Sequence, residues 1–389
     1  FSALATATIN VSVSGLDQMK TSISAPWVTD AAIAQFLALL TKPTVEPTNG
    51  VTIYDPCVGF GTTLLYSSAL ANNAIAIGQD INPNIVSLAT LCLSLRNCNA
   101  TLSTEDSISG PVPSPSISAD VVLADPVLGM KVPPSIENDA RWELGNPKGS
   151  LSNAWVQVVL RDLNQTGRGA LIVEHGWLNA SDEVSVDLRT NLLRRNVLDA
   201  IITIPKGFFN KTSDSFSILL FDKNREARNM QAADNRVAFF DIPQVQESGQ
   251  GFAPVFTLVA ALYLYSLWRE DAQLLISQSE PLAFSQAKNR LADHFQTETL
   301  QDFATNLAKK IFPSAGLTLD VEGEDIATSF DNLQMYFAHA TYEEILSNDS
   351  SLDPKSFKPS LGHWKLGDGY DLVSSLTQRV DDISKLVTT

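Results

Sequence analysis

Four aspartates stand where short apolar runs end. Asp55 follows Gly50-Val-Thr-Ile-Tyr54, Asp80 follows Ala74 to Gln79, Asp106 follows the stretch expected as a third strand, and Asp125 follows Ala119-Asp-Val-Val-Leu-Ala124. A carboxylate at the carboxyl end of a strand faces the crevice in which open α/β sheets hold ligands, and when ionised it can only accept, so it selects ammonium and hydroxyl hydrogens. Between Asp55 and the next helical run lies Pro56-Cys-Val-Gly59-Phe-Gly61-Thr62. Such a glycine turn lets the backbone approach a ligand closely, ahead of a helix start. Gly-x-Gly alone also fits an ordinary tight turn. The dinucleotide fingerprint needs a third glycine where this chain has Leu64, which counts against NAD.

Each acid has a specific use and a plainer one. Asp55 suits a site for S-adenosylmethionine, whose ammonium a carboxylate can meet directly or through water. Asp80 can accept both hydroxyl hydrogens of a ribose, or cap the helix opened by Asn82-Pro83. Asp106 can take the exocyclic amine of an adenine with Ile108 against the ring, or be a solvated loop acid beside Glu105. Asp125-Pro126-Val127-Leu128 sits at the edge where such sheets place reacting groups. Glu174-His175 could be a proton-transfer pair, although a hydrogen-bonded structural histidine is the better reading. His294, His339 and His363 lie apart from any Cys or acid spacing typical of a metal site, and no metal is assigned.

The elements that must position these groups follow from periodicity. Ala31 to Leu40 has helical spacing, with Thr29 or Asp30 able to cap its start. Strand, glycine turn and helix run from Gly50 to Ala71, then a strand at Ala74 to Gly78 and a helix from Pro83 to Leu95, a βαβα order that predicts a parallel sheet. Ser107 to Ser118 is a Pro- and Ser-rich loop. Further on come a strand at Ala119–Ala124, a helix at Asn153–Leu163, a strand at Gly169–Glu174 and a helix at Val186–Asn196. Strands Leu198–Ile204 and Ser215–Phe221 are separated by too few residues for a crossover helix, which predicts an antiparallel pair. After Asn224 the alternation stops. The expected organisation is an α/β domain over 1–225 and a mainly helical region over 226–389, with one strand at Arg236–Asp241 and a buried helix at Val255–Trp268.

The order of motifs resembles the adenine-N6 DNA methyltransferases, most closely the modification subunit of type I restriction systems. The resemblance rests on Asp55-Pro-x-x-Gly59-x-Gly61, Gly78-Gln79-Asp80 and Asp125-Pro126. It extends to Ala25-Pro26-Trp27, to Asn191 through Pro205 with Gly207 and Phe209, and to Tyr342-Glu-Glu-Ile-Leu through Leu352-Asp-Pro354. It implies a Rossmann-like S-adenosylmethionine-dependent sheet with Pro26, Asp55, Pro56, Gly59, Gly61, Thr62, Asp80, Asp106 and Asp125 around the cofactor. It also implies a target adenine flipped from double-stranded DNA, its amino group held by Asp125 and a main-chain carbonyl, with Pro126 and Leu128 completing the motif. The family pattern has a second proline and an aromatic where this chain has Val127 and Leu128. Apolar contact from Leu128 can still cover a base, and Phe60, Phe208 or Phe209 are candidate replacements for the ring. The implied partners are a specificity subunit, with a restriction subunit as a further one, and Leu372, Leu376, Val380, Ile383 and Val387 give the segment around Val373–Leu386 an apolar face for docking or for packing on its own domain.

Charge narrows the classes. With 27 basic and 43 acidic residues the chain carries −16, which excludes a nucleic-acid binder that is basic over its whole surface. A local groove lined by Arg189, Arg194, Arg195, Lys206 and Lys211 remains open, as does a solvated helix face. Three cysteines form neither a disulfide framework nor a four-ligand zinc site and fit a reducing cytoplasm. No apolar run reaches the roughly 20 residues a bilayer requires. Two rivals stand beside the enzyme reading: a catalytically silent homologue that binds cofactor or assembles a complex, and an amine or amide methyltransferase for protein or small molecules.

Overall fold

The computed structural model describes residues 29–43, 48–112, 117–136, 139–206, 215–225, 235–242 and 337–357, with Ala261, Leu262, Tyr265, Trp268 and Arg269. One nine-stranded sheet organises them. Its strands are β1 (Thr52–Asp55), β2 (Ile75–Asp80), β3 (Ala100–Thr104), β4 (Ala119–Ala124), β5 (Leu163–Glu174), β6 (Leu198–Ile204), β7 (Phe216–Asp222), β8 (Arg236–Asp241) and β9 (Phe337–Thr341). Their order is β3-β2-β1-β4-β5-β7-β6-β8-β9. The expected antiparallel pair is present, since β7 runs against both β5 and β6, and β9 runs against β8. The remaining pairs are parallel. Two strands from beyond residue 225 therefore extend the sheet begun before it.

The period of two along each strand sorts the core into two layers. Val121 and Leu123 of β4, with Ala170 and Ile172 of β5, face helices α1 (Ala31–Thr41), α2 (Thr62–Ala69) and α3 (Pro83–Leu95) through Phe36, Leu37, Leu64 and Leu93. Val122 and Ala124, with Leu171 and Val173, face α4 (Leu151–Asp162), α5 (Glu183–Arg194) and the short α6 (Tyr342–Leu346) through Trp155, Val159, Leu188, Leu192 and Ile345. Covering both faces makes the inner strands mainly apolar, with a few buried polar groups such as Asp199, Thr203 and Ser217 among them. Every residue of β6 and β7 is buried. Ala261, Leu262, Tyr265 and Trp268 are helical and buried in the first layer, as the apolar run at 255–268 predicts.

Buried polar groups hold the amino edge of the sheet. Arg225 pairs with Asp199 at 3.3 Å and donates to the Leu198 carbonyl, while Tyr265 Oη donates to Asp199 at 2.9 Å and Trp268 Nε1 at 3.2 Å. The opposite edge is thereby left to the ligand-facing groups. Among the described residues no helix is long and apolar enough to cross a membrane.

Candidate active site

The strand order brings Asp80, Asp55, Asp125 and Glu174 to the carboxyl ends of four adjacent strands, β2, β1, β4 and β5. Asp55 is 1% exposed. Its Oδ1 accepts from the Cys57 N–H at 2.9 Å and its Oδ2 from the Thr63 hydroxyl in the first turn of α2. Burial pushes Asp55 up to about 7 despite those hydrogen bonds, with Asp125 adding to the rise. Burial likewise pushes Asp125 up to about 6, against the hydrogen bond from Thr29. Two strand-end carboxyls thus sit in a cleft that disfavours their negative charge. Burial also pushes the Cys57 thiol well above its usual range.

The glycine turn is fixed by main-chain hydrogen bonds and by its own φ. Val58 N–H donates to the Gln79 carbonyl at 2.9 Å and Gly61 N–H to the Val58 carbonyl at 2.8 Å. Gly61 caps α2 at φ +80°, and a Cβ there would lie 2.8 Å from Leu93 Cδ1, so both backbone and space require glycine. Asp80 holds the turn from the next strand: its Oδ2 accepts from Gly59 N–H at 3.1 Å and its Oδ1 from Asn82 N–H at 2.9 Å. Asn82, not Asp80, caps α3, accepting from Asn84 N–H at 3.0 Å. Each Asp80 oxygen keeps a lone pair for a further donor.

Asp106 is spent largely on its own turn. Its Oδ1 accepts from Ile108 and Ser109 N–H at 2.9 and 3.1 Å, and its Oδ2 from the Ser109 hydroxyl. Burial opposes ionisation, yet these bonds and Arg141 hold the carboxyl below its usual range. Ile108 is buried beside it. The neighbouring Ser107 closes the floor of the site: it takes a hydrogen bond from Gln79 Nε2 at 2.5 Å and donates to the Pro56 carbonyl.

Pro126 is buried after Asp125, while Val127 and Leu128 are half-buried and Leu128 packs on the first core layer. Thr62 opens α2 half-buried, but its neighbour Thr63 is the one that binds Asp55. Phe60 is half-buried in the glycine turn. Pro26, Phe208, Phe209, Lys211 and the segment 373–386 lie outside the described residues.

Among the remaining candidates one departs from expectation and others meet it. Arg189 does not line a groove: it is 1% exposed and donates to the carbonyls of Ser350, Trp177 and Ala180, and burial lowers it to about 10. The helical pattern of α5 places position 189 inward, which a charge count overlooks. Arg194, Arg195 and Lys206 are exposed, and Arg195 pairs with Glu143 at 2.9 Å. His175 has Nδ1 3.1 Å from Ser217 Oγ, a structural hydrogen bond, whereas Glu174 reaches the loop after Asp125. Thr29, reaching Asp125 from before α1, carried no sequence signal beyond its capping position.

Among the described residues no cluster of His, Cys, Asp and Glu could hold a metal ion. A family profile for N-6 DNA methylases matches residues 23–252. The chain belongs to that family. Among its relatives, the methylase subunit of the type I restriction enzyme HindI from Haemophilus influenzae is 23% identical over 212 residues, which are 52% of this chain and 46% of that one. The chain therefore spans about half the length of that relative. The crystal structure of a type I restriction-modification methyltransferase subunit from Streptococcus thermophilus superposes with a TM-score of 0.57 at 19% identity, covering 86% of this chain and 59% of that chain. A structure concerned with complex assembly and conformational transition of the type I system gives 0.52 at 13% identity, covering 94% and 66%. The Rossmann-like methyltransferase fold expected of an N-6 DNA methylase is the one found.

Proposed function

We propose that the chain binds S-adenosylmethionine and, as the modification subunit of a type I-like restriction system, methylates N6 of an adenine extruded from DNA. The observation that supports this best is the row of strand-end carboxylates around one glycine turn. A ligand carrying a fixed sulfonium and an ammonium supplies the positive charge that Asp55 and Asp125, raised to about 7 and 6, lack. Asp80 has acceptor capacity for ribose hydroxyls, and Gly61 supplies the positive φ with which the turn enters α2. The residues fit the cofactor, whose contribution is an electrophilic methyl group.

The chain's own work is orientation. Asp125 accepts an N–H of the adenine amino group, drawing the nitrogen lone pair toward the donor side of the cleft, and buried Pro126 holds the main chain at that point. Leu128 covers the ring by apolar contact. Stacking on an aromatic is worth on the order of 1 to 3 kcal/mol, so its replacement predicts a slow enzyme. Exposed Lys206, after the carboxyl end of β6, is the described candidate for phosphate contact on the side of the site, and a separate specificity subunit would supply the sequence reading that a chain of net charge −16 needs help with.

Calorimetric titration with S-adenosylmethionine tests the cofactor assignment: Asp80→Ala should weaken binding at least tenfold, and equal binding would end it. Val127 and Leu128 favour a second reading, a silent homologue that keeps the cofactor site. Methyl transfer from labelled donor to adenine-containing duplex, with and without a candidate specificity subunit, separates the two. Protein offered in parallel tests the amine and amide alternative.

A further inference from the structure

The peptide that joins Leu128 to Gly129 is held from another strand. Gly129 N–H donates to Glu174 Oε1 at 2.6 Å, and Glu174 Oε2 accepts from the hydroxyl of Ser152. Ser152 is the second residue of α4 and is buried, and its N–H is capped by Ser150 at 3.1 Å. The loop then stays on the start of α4: Met130 carbonyl accepts from Leu151 N–H at 2.9 Å, and Lys131 forms a β-bridge with Ser150. One carboxylate therefore gathers the residue that follows Leu128 and the helix on which the loop rests.

The reason for a brace at this point is the backbone. Gly129 has φ +78°, with nothing within 4 Å of where a Cβ would lie, so the chain turns sharply in open space immediately after Leu128. A glycine there can reach many conformations at equal cost. Leu128 packs its side chain on the first core layer, and the peptide that follows it is held through the Gly129 N–H. Glu174 is the group that holds it. A carboxylate suits the task because its two oxygens accept two bonds at once.

We infer that Glu174 is a positioning residue for methyl transfer: it fixes the Leu128–Gly129 peptide so that Leu128 covers the target base. This rests on the adenine methyltransferase reading above. It assigns Glu174 no contact with substrate and no proton transfer.

The test uses the full chain with Glu174→Ala and Glu174→Gln. The amide oxygen of Gln can accept from Gly129, and its NH2 can donate to the Ser152 hydroxyl, so Gln preserves the brace and Ala removes it. Hydrogen exchange of peptides covering 126–131 should quicken at least tenfold in Glu174→Ala and stay near wild type in Glu174→Gln, with α1 and β1 unchanged in both. Methyl transfer to adenine-containing duplex, with the specificity subunit present, should show kcat lowered about tenfold or more for Ala and restored within about threefold for Gln. The Kd for S-adenosylmethionine should stay within about twofold throughout. An active wild type with Glu174→Ala turning over equally well, with unchanged exchange, or with Gln as impaired as Ala, overturns the positioning role and leaves the function reading standing. Loss of donor binding in Glu174→Ala also overturns it, because the residue would then be holding the whole site. A wild type that transfers no methyl to any DNA overturns the function reading, and the role of Glu174 falls with it.

Discussion

Lowering the pH should weaken S-adenosylmethionine binding far more than it would at an ordinary carboxylate site. On the proposed reading Asp55 and Asp125 attract the donor's sulfonium and ammonium when ionised and do not when protonated. Since burial raises Asp55 to about 7 and Asp125 to about 6, both take up protons in the empty protein at pH values where exposed aspartates stay charged. A cation in the cleft must expel those protons, so affinity falls as pH falls through 7 and then 6. Between pH of about 7.5 and 5.5 the ionised fraction drops by about 25-fold for a group at 7 and about 4-fold for one at 6. If both must be charged, Kd rises by about 100-fold, or roughly 2.7 kcal/mol. The range stops near 7.5 because an α-amino group itself loses its proton at about 8.

The assay is calorimetric titration at half-unit steps, repeated in two buffers of different ionisation enthalpy so that proton release is counted directly. Asp55→Asn should bind weakly at pH of about 7.5 and keep only the shallow dependence that belongs to Asp125, about 4-fold. The empty protein gives the same sign from the other side. A carboxyl whose folded pKa is raised destabilises the fold once ionised, so stability without ligand should decline as pH rises from about 4 to about 7, and saturating donor should cancel the decline. A Kd constant within about twofold across the range, or an Asp55→Asn slope equal to wild type, would refute the electrostatic account.

Three other perturbations reach different parts of the argument. Arg189→Ala leaves three buried carbonyls without their donor and should cost on the order of 3 kcal/mol, read as a lowered denaturant midpoint with unchanged donor Kd in the surviving folded fraction. Unchanged stability would mean that water replaces the guanidinium. Gly61→Ala forces a side chain to φ +80° and toward buried Leu93, so thermal unfolding should show a loss of at least about 1 to 2 kcal/mol together with weaker donor binding. Leu128→Phe should raise the methylation rate by restoring a stacking face, and a fall in rate would show that the loop has been rebuilt around the smaller side chain.

What was legible in the sequence and what was not divide along a physical line. Residues fixed by backbone demands announce themselves. Gly61 must adopt positive φ, Asp55 and Asp80 end their strands and Asp125 follows its own, and the mainly apolar runs of β6 and β7 lie buried between two helical layers. Those features depend on neighbours within a few positions, so a string of residues carries them. Partnerships across the sheet do not. Glu174 and Gly129 are 45 positions apart, Arg189 and Ser350 are 161 apart, and Arg225 reaches Tyr342 over 117. Each joins a polar group to one made adjacent only by strand order, and nothing in residue type distinguishes Arg189, buried on three carbonyls, from exposed Arg195. The same holds at the site itself. Asp106 looks as ready for a ligand as Asp80, yet three hydrogen bonds from Ile108 and Ser109 occupy it, while Asp80 spends one lone pair on each of two backbone amides. Sequence can therefore nominate a row of acids, and only geometry ranks them: Asp55 and Asp125 by their suppressed charge, Asp80 by its remaining capacity, and Glu174 by the loop it restrains.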